Sequence, residues 1–142
     1  MPLGGAICIE RFPSPFDDSS MDLVISVEVV EHLNNTQLLE MLKEVYRVLK
    51  TGGYVIVTTP NKENLEANKT VCPECGCIFH RWQHIRSWDM FSLRRKMEEM
   101  GFYTVHISET IFTYTLKKIF LLLKRSIKKD FTYPHLIYIG KK

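Results

Sequence analysis

Two short, mostly apolar runs flank one amphipathic stretch in residues 22–61, and that arrangement leaves few folds open. The first run is Leu23-Val24-Ile25-Ser26-Val27, followed by the acidic turn Glu28-Val29-Val30-Glu31-His32. The second is Tyr54-Val55-Ile56-Val57-Thr58-Thr59, stopped by Pro60. Each has the length and β-branched content of a strand covered on both faces. Between them, Leu38, Leu39, Leu42, Val45, Tyr46 and Leu49 recur at steps of mostly three and four, the stripe of a core-facing helix. Glu40, Lys43, Glu44 and Arg47 fall on its wet face. Asn34 or Asn35 can cap its start, and Gly52-Gly53 is placed to end it. Strand, helix, strand over this length predicts a parallel pair joined by a crossover. Open sheets of this kind bind ligands beyond the carboxyl ends of their strands. Ser26, Val27, Glu28, Glu31 and His32 are therefore candidates for a site.

The rest of the chain extends an α/β domain. Residues 6–12 read as a short strand and residues 13–20, with two prolines and Asp17-Asp18-Ser19-Ser20, as a turn-rich loop. Residues 61–86 are polar and rich in Cys and His. Ser87 or Asp89 caps a helix to Met100, with Phe91, Leu93, Met97 and Met100 as candidate core residues and Gly101 as its C-cap. A strand at 103–107, a basic amphipathic helix at 116–129 and a strand at 136–139 follow. At 142 residues one domain is expected. No apolar run approaches the ~20 residues of a membrane span, and the start has no secretory pattern, so the cytoplasm is the expected location. Residues 1–66 hold ten acidic and five basic side chains, residues 67–142 six and fourteen. A basic second half can face an anionic ligand, nucleic acid or membrane, or can simply be solvated.

The central unit resembles the class I S-adenosylmethionine-dependent methyltransferases, whose pattern is a Phe-Asp-Leu-Val strand, a Glu-His-Leu turn, a helix ending Leu-Lys-Pro-Gly-Gly and a strand ending near Pro-Asn. Here Met21 stands for the Phe and Thr51 for the Pro. The resemblance runs over residues 8–110. It implies a partial Rossmann-like sheet, with parallel strands, an antiparallel carboxyl-terminal strand inserted beside the 54–59 strand, and flanking helices. The family's Gly-rich cofactor loop has no counterpart, since Gly4-Gly5 follows no strand. The expectation is thus the carboxyl-terminal part of a methyltransferase domain, weak in cofactor binding on its own, with the 23–27 strand left as an apolar edge.

The resemblance also implies site residues. The loop at Ile9, Glu10 and Arg11 lies where the family holds the adenine, and Ser26, Val27 and Glu28 lie beside its cofactor. Acidic groups suit the ribose hydroxyls and the ammonium, although Glu28 and Glu31 would also favour the start of a helix. His32 and His84 are the candidate catalytic side chains. His32 can act as a base or hold the turn by hydrogen bonding, and methyl transfer by in-line attack can proceed on positioning alone. The acceptor implied is a small or lipid-linked molecule.

A second constellation is Cys72-Pro-Glu-Cys75-Gly-Cys77-Ile-Phe-His80-Arg-Trp-Gln-His84. Its Cys-x2-Cys-x4-His-x3-His spacing makes Cys72, Cys75, His80 and His84 a candidate zinc set, with Cys77 as a spare. The alternative is a thiol-bearing loop whose His and aromatic residues line a substrate mouth. Some bacterial methyltransferases carry a similar insertion, consistent with a lid or acceptor-binding element. Arg81, Trp82, Arg86 and Trp88 could stack on a planar or anionic group, a base included, though nucleic acid is the weaker case. The 116–129 helix can cover the sheet or rest on an anionic membrane surface. A zinc-stabilised binding module without catalysis, or an inactive fragment, is the rival reading.

Overall fold

The computed structural model describes residues 12–112 and 134–142. The two apolar runs are neighbouring parallel strands, as expected: β1 (Met21–Val27) pairs with β2 (Leu49–Pro60), in register from Leu23 with Tyr54 to Val27 with Thr58. β3 (Lys69–Val71) and β4 (Ile78–His80) form a separate two-stranded sheet within the insertion. With β5 (Tyr103–Thr110) and β6 (His135–Lys141), the described strands of the main sheet take the order β1-β2-β6-β5. β6 runs antiparallel to both neighbours, placing Tyr138 opposite Val57 and Ile107. The final strand is thus inserted beside β2, as the resemblance implied.

Helix α1 (Asn35–Val48) begins at Asn34, whose side chain accepts from the Gln37 N–H while the Gln37 side chain accepts from Asn34. That reciprocal cap satisfies two donors that helix geometry leaves free. Leu38, Leu42, Val45 and Val48 are buried. Leu39, expected in the stripe, is instead 43% exposed, and Glu44, expected on the wet face, is buried. The reason for the latter is electrostatic: its carboxylate accepts from Ser14 and Arg47 and ties residues 14–18 to the helix.

Gly52-Gly53 is not the helix end. The chain passes from α1 straight into β2 at Leu49, and the two glycines lie within the strand. A Cβ on Gly53 would meet Lys50 O at 2.9 Å and Asp22 O at 3.2 Å. Gly52 takes φ +84 and donates its N–H to Lys142 O. Close backbone approach at Gly53 and the left-handed conformation at Gly52, rather than helix termination, demand the pair.

Helix α2 (Met90–Glu99) starts at Asp89, again through a reciprocal cap with Ser92. Leu93 and Met97 are buried; Phe91, expected with them, points to solvent at 74% exposure. Gly101, at φ +93, closes the helix by donating to Glu98 O. The core joins Leu42, Leu49, Val55, Val57, Leu93, Met97, Leu136 and Tyr138. Trp88 belongs to it too at 5% exposure, which removes it from the expected stacking set, whereas Trp82 is 51% exposed. Among the described residues β1 is not covered on both faces: it stands at the edge of their sheet, and Leu23, Ile25 and Val27 are about half exposed. The expected strand at 6–12, save Phe12, and the expected helix at 116–129 lie outside the described residues, and no described helix is long and apolar enough to cross a membrane.

Candidate active site

The parallel register brings the ends of β1 and β2 side by side, and the chain leaves both ends through strained or tightly held turns. Glu28 follows β1 with φ +51, and its N–H donates to Thr58 O at 3.0 Å. That sharp departure directs its carboxylate toward the start of β6, where Oε2 lies 3.3 Å from His135 Nδ1. Glu28 Oε1 is buried with no hydrogen-bond partner among the described residues. Three residues on, Glu31 is 1% exposed. Thr59 Oγ1 donates to its Oε2 at 3.0 Å. Burial pushes the Glu31 carboxyl above its ordinary range, with the bonds it accepts pulling the other way.

Beyond Pro60 the insertion folds back over these strand ends. Ile85 N–H donates to Glu31 O, Lys62 N–H to Trp88 O, and Arg86 grips Leu33 O through two N–H groups. The fold-back places Glu63 between two imidazoles. His84 Nδ1 lies 2.5 Å from Glu63 Oε2, His80 Nε2 lies 3.5 Å from Oε1, and Asn68 Nδ2 donates to Oε1 at 2.9 Å. The His80 tautomer follows from its partners. Its Nδ1 accepts the His84 N–H at 3.1 Å, so in the neutral ring Nε2 carries the proton and faces Glu63. In His84 the carboxylate holds Nδ1–H, which leaves the Nε2 lone pair free of Glu63. The His84 ring stands edge-on to His32 at 4.7 Å and stacks on His80 at 4.9 Å.

These groups line one cavity of about 730 Å³, bordered by Glu28, Glu31, His32, Trp82, His84 and His135. No Lys or Arg is among its described lining residues. Ser26 and Val27 line a different, apolar cavity of about 500 Å³ between β1, α1 and residues 12–16. Among the expected cofactor residues, then, Glu28 reaches the polar cavity, Ser26 and Val27 do not, and Ile9 and Glu10 lie outside the described residues. Of the catalytic candidates, both His32 and His84 reach it.

The structure does not gather Cys72, Cys75, His80 and His84. Among the described residues, two groups bring metal-ligating atoms within 4.8 Å of one another: Glu63 with His80 and His84, and Glu31 with His32 and His84. Neither includes a cysteine. The physical reason is the β3–β4 register. Lys69 pairs with His80 at one end of the hairpin while Val71 pairs with Ile78 next to the cysteine turn at the other. Cys72, Cys75 and Cys77 are free thiols at that turn. The Cys75 thiol is lowered from its ordinary range, first by the Cys77 N–H and then by the Cys77 and Cys72 side chains. Glu63 and His135 were not singled out in the sequence. A carboxylate three residues past a strand end was the available signal for Glu63.

With this geometry in place, comparison with known proteins identifies the class. A family model described as a methyltransferase domain matches residues 8–107, and the chain belongs to that family. A probable S-adenosylmethionine-dependent methyltransferase of Mycolicibacterium smegmatis is 40% identical over 48 residues, 34% of this chain and 18% of that protein. The mitochondrial ubiquinone biosynthesis O-methyltransferase of Rattus norvegicus is 32% identical over 81 residues, 56% of this chain and 22% of that one. Among solved structures, a SAM-dependent methyltransferase from Archaeoglobus fulgidus superposes with a TM-score of 0.58 at 21% identity, over 89% of this chain and 62% of that one. The fold is therefore Rossmann-like, of the methyltransferase type. The chain spans a quarter or less of the curated relatives it matches.

Proposed function

We propose that this chain forms the acceptor side of an S-adenosylmethionine-dependent methyltransferase site, and that it acts on a hydroxyl or amine of a small or lipid-linked molecule. The observation that carries the reading is the Glu63–His84 pair, set in the cavity at the carboxyl ends of two parallel strands of a methyltransferase-family sheet. The named relatives and the family match support the donor. So does the buried, unpartnered Glu28 Oε1, an acceptor suited to a ribose hydroxyl or an ammonium group.

S-adenosylmethionine, when bound, supplies a methyl group on a sulfonium centre, already activated for in-line displacement. What remains for the protein is to position the acceptor and remove its proton. His84 Nε2 is the available lone pair. Glu63, bonded to Nδ1–H, fixes the ring and stabilises the imidazolium formed when the proton arrives, the same division of roles that a carboxylate–His pair plays elsewhere. Stacking of His80 on His84 restricts the ring further. Trp82, half exposed beside the pair, offers a flat apolar wall. Three carboxylates and no described Lys or Arg border the cavity, which argues against a phosphate or carboxylate at the reacting end of the acceptor.

The test is methyl transfer from labelled S-adenosylmethionine into small-molecule and lipid extracts, comparing the wild-type protein with His84→Asn and Glu63→Gln. Loss of the base is expected to lower kcat by roughly 10²–10⁴-fold, with a smaller loss for Glu63→Gln. An unchanged rate in His84→Asn would remove His84 as the base and leave positioning as the whole mechanism.

A further inference from the structure

The buried carboxylate of Glu31 is only half satisfied. Thr59 Oγ1 donates to its Oε2 at 3.0 Å. Its Oε1 is buried with no hydrogen-bond partner among the described residues, in a side chain that is 1% exposed. His32 Nε2 lies 3.8 Å from that oxygen. This separation is too long for a hydrogen bond, so neither atom satisfies the other. A buried carboxylate oxygen without a partner costs stability. The 3.8 Å gap has another use: two donors each ~2.1 Å from one transition-metal ion stand roughly 3–4 Å apart.

His84 supplies a third donor from the insertion. One ligating atom from each of Glu31, His32 and His84 lies within 4.8 Å of the other two. The His84 ring is prepared for ligation. Glu63 Oε2 lies 2.5 Å from Nδ1, so the proton sits at Nδ1 and Nε2 keeps its lone pair. A carboxylate behind the second nitrogen is the usual support of a metal-bound histidine. His80 stacks on the ring at 4.9 Å, and the His32 ring meets it edge-on at 4.7 Å. The neighbouring group of Glu63, His80 and His84 is satisfied from within. His80 Nδ1 accepts the His84 N–H while its Nε2 faces Glu63, and Asn68 donates to Glu63 Oε1. That group therefore props His84 rather than holding an ion itself. Glu28 and Glu63 add negative charge around the cavity, and no described Lys or Arg borders it, a field that favours a cation.

We propose that Glu31 Oε1, His32 Nε2 and His84 Nε2 form a site for one divalent transition-metal cation of the zinc, manganese and iron class. One carboxylate and two imidazoles suit such ions, whereas magnesium and calcium take oxygen donors. Both imidazoles ligate as neutral rings. Three protein donors leave further coordination positions open toward the cavity. The site joins the turn after β1 to the insertion, so a bound ion fastens one wall of the cavity to the sheet. It also claims the lone pair assigned above to proton removal. Cation and acceptor proton then compete for His84 Nε2, a consequence that rests on the reading of His84 as the base.

The experiment uses the whole chain, reduced and stripped by a chelator, with cobalt(II) as the spectroscopic probe and zinc as the competitor. Expected are one bound cobalt per chain, visible ligand-field bands without thiolate-to-cobalt charge transfer, and displacement by zinc. Glu31→Gln, His32→Asn and His84→Asn each weaken cobalt binding by more than about a hundredfold, and Glu63→Gln by roughly tenfold through His84. A variant with Cys72→Ser, Cys75→Ser and Cys77→Ser together binds as wild type. Because a variant can fail to fold, the unaltered chain gives a second readout. Excess manganese(II), an ion that thiolates take poorly, shields His32 and His84 from carbethoxylation, mapped by peptide mass spectrometry, while exposed His106 reacts as before. A cobalt spectrum lost in the cysteine variant, an affinity unchanged in Glu31→Gln or His84→Asn, or equal modification of His32 with and without manganese would each overturn the site. Methyl transfer separates the two readings: with cobalt bound, inhibition agrees with His84 as the base, and stimulation overturns the base while the spectrum keeps the site.

Discussion

Glu44→Gln tests the tie between residues 14–18 and α1, and its size can be worked from the contacts. Oε1 of Glu44 accepts from Ser14 N at 2.8 Å, Ser14 Oγ at 2.5 Å and Arg47 Nη2 at 2.6 Å, and Oε2 accepts from Arg47 Nε at 2.9 Å. Arg47 also donates to Phe16 O at 2.8 Å and to Asp18. The Arg47 guanidinium first, and the Ser14 bonds after it, hold the Glu44 carboxyl down at about 2, from an ordinary 4.5. A depressed folded-state value means stability that is present above the unfolded value and lost as pH falls from about 4.5 toward 2. At about 1.4 kcal/mol per unit the ceiling is roughly 3 kcal/mol. The Arg47 side chain is 27% exposed, so solvent screening brings the expectation to about 2 kcal/mol. Glutamine keeps the shape and discards the charge. Urea unfolding should therefore show Glu44→Gln less stable than wild type by about 2 kcal/mol near neutral pH, with most of the gap closed near pH ~2, where about half of the folded wild-type side chains are protonated as well. A gap of the same size at both pH values would refute the charge argument and assign the loss to packing.

Glu31 should behave in the opposite sense. Its raised folded-state value means that stability is full below 4.5 and falls as pH rises through the folded value. Glu31→Gln, keeping the Thr59 bond, should then gain stability near neutral pH and nothing near pH ~4, read by thermal melts at both; a loss at neutral pH would show that the ionised form is stabilised in the fold. Gly140→Ala should cost about 1–3 kcal/mol, because its Cβ would lie 2.7 Å from Cε1 of the fully buried Tyr138. An unchanged melting temperature would mean that the Tyr138 ring can yield.

Much of the sheet was legible because period and punctuation carry it. β-branched runs at 23–27 and 54–59, Asn34, Asp89 and Gly101 each acted locally as their chemistry dictates. Errors arose where a tertiary partner outside the local pattern decided the outcome. Glu44 looks like a solvated helix residue until Ser14, thirty positions away, is placed beside it. Gly52-Gly53 looks like a helix stop because the approach of Asp22 and Lys142 is invisible in one dimension. The same holds for the site. Glu28, His32 and His84 could be named from the turn and the insertion, but their pairing with His135 and Glu63 depends on how residues 61–86 fold over the strand ends. Spacing alone joined the cysteines to the histidines, and the hairpin register separates them.

The cavity-lining groups Glu63, Asn68, Trp82 and His84 sit on a single excursion that departs after Pro60 and rejoins the framework at Trp88, whose carbonyl receives the Lys62 N–H. Departure and return are thus stitched together by a parallel bridge between Asn61 and Trp88, of which this bond is part. Ile85 and Arg86 hold the excursion to the Glu31 and Leu33 carbonyls on the other side, so this wall of the cavity is carried by one continuous segment, separate in sequence from the strands beneath.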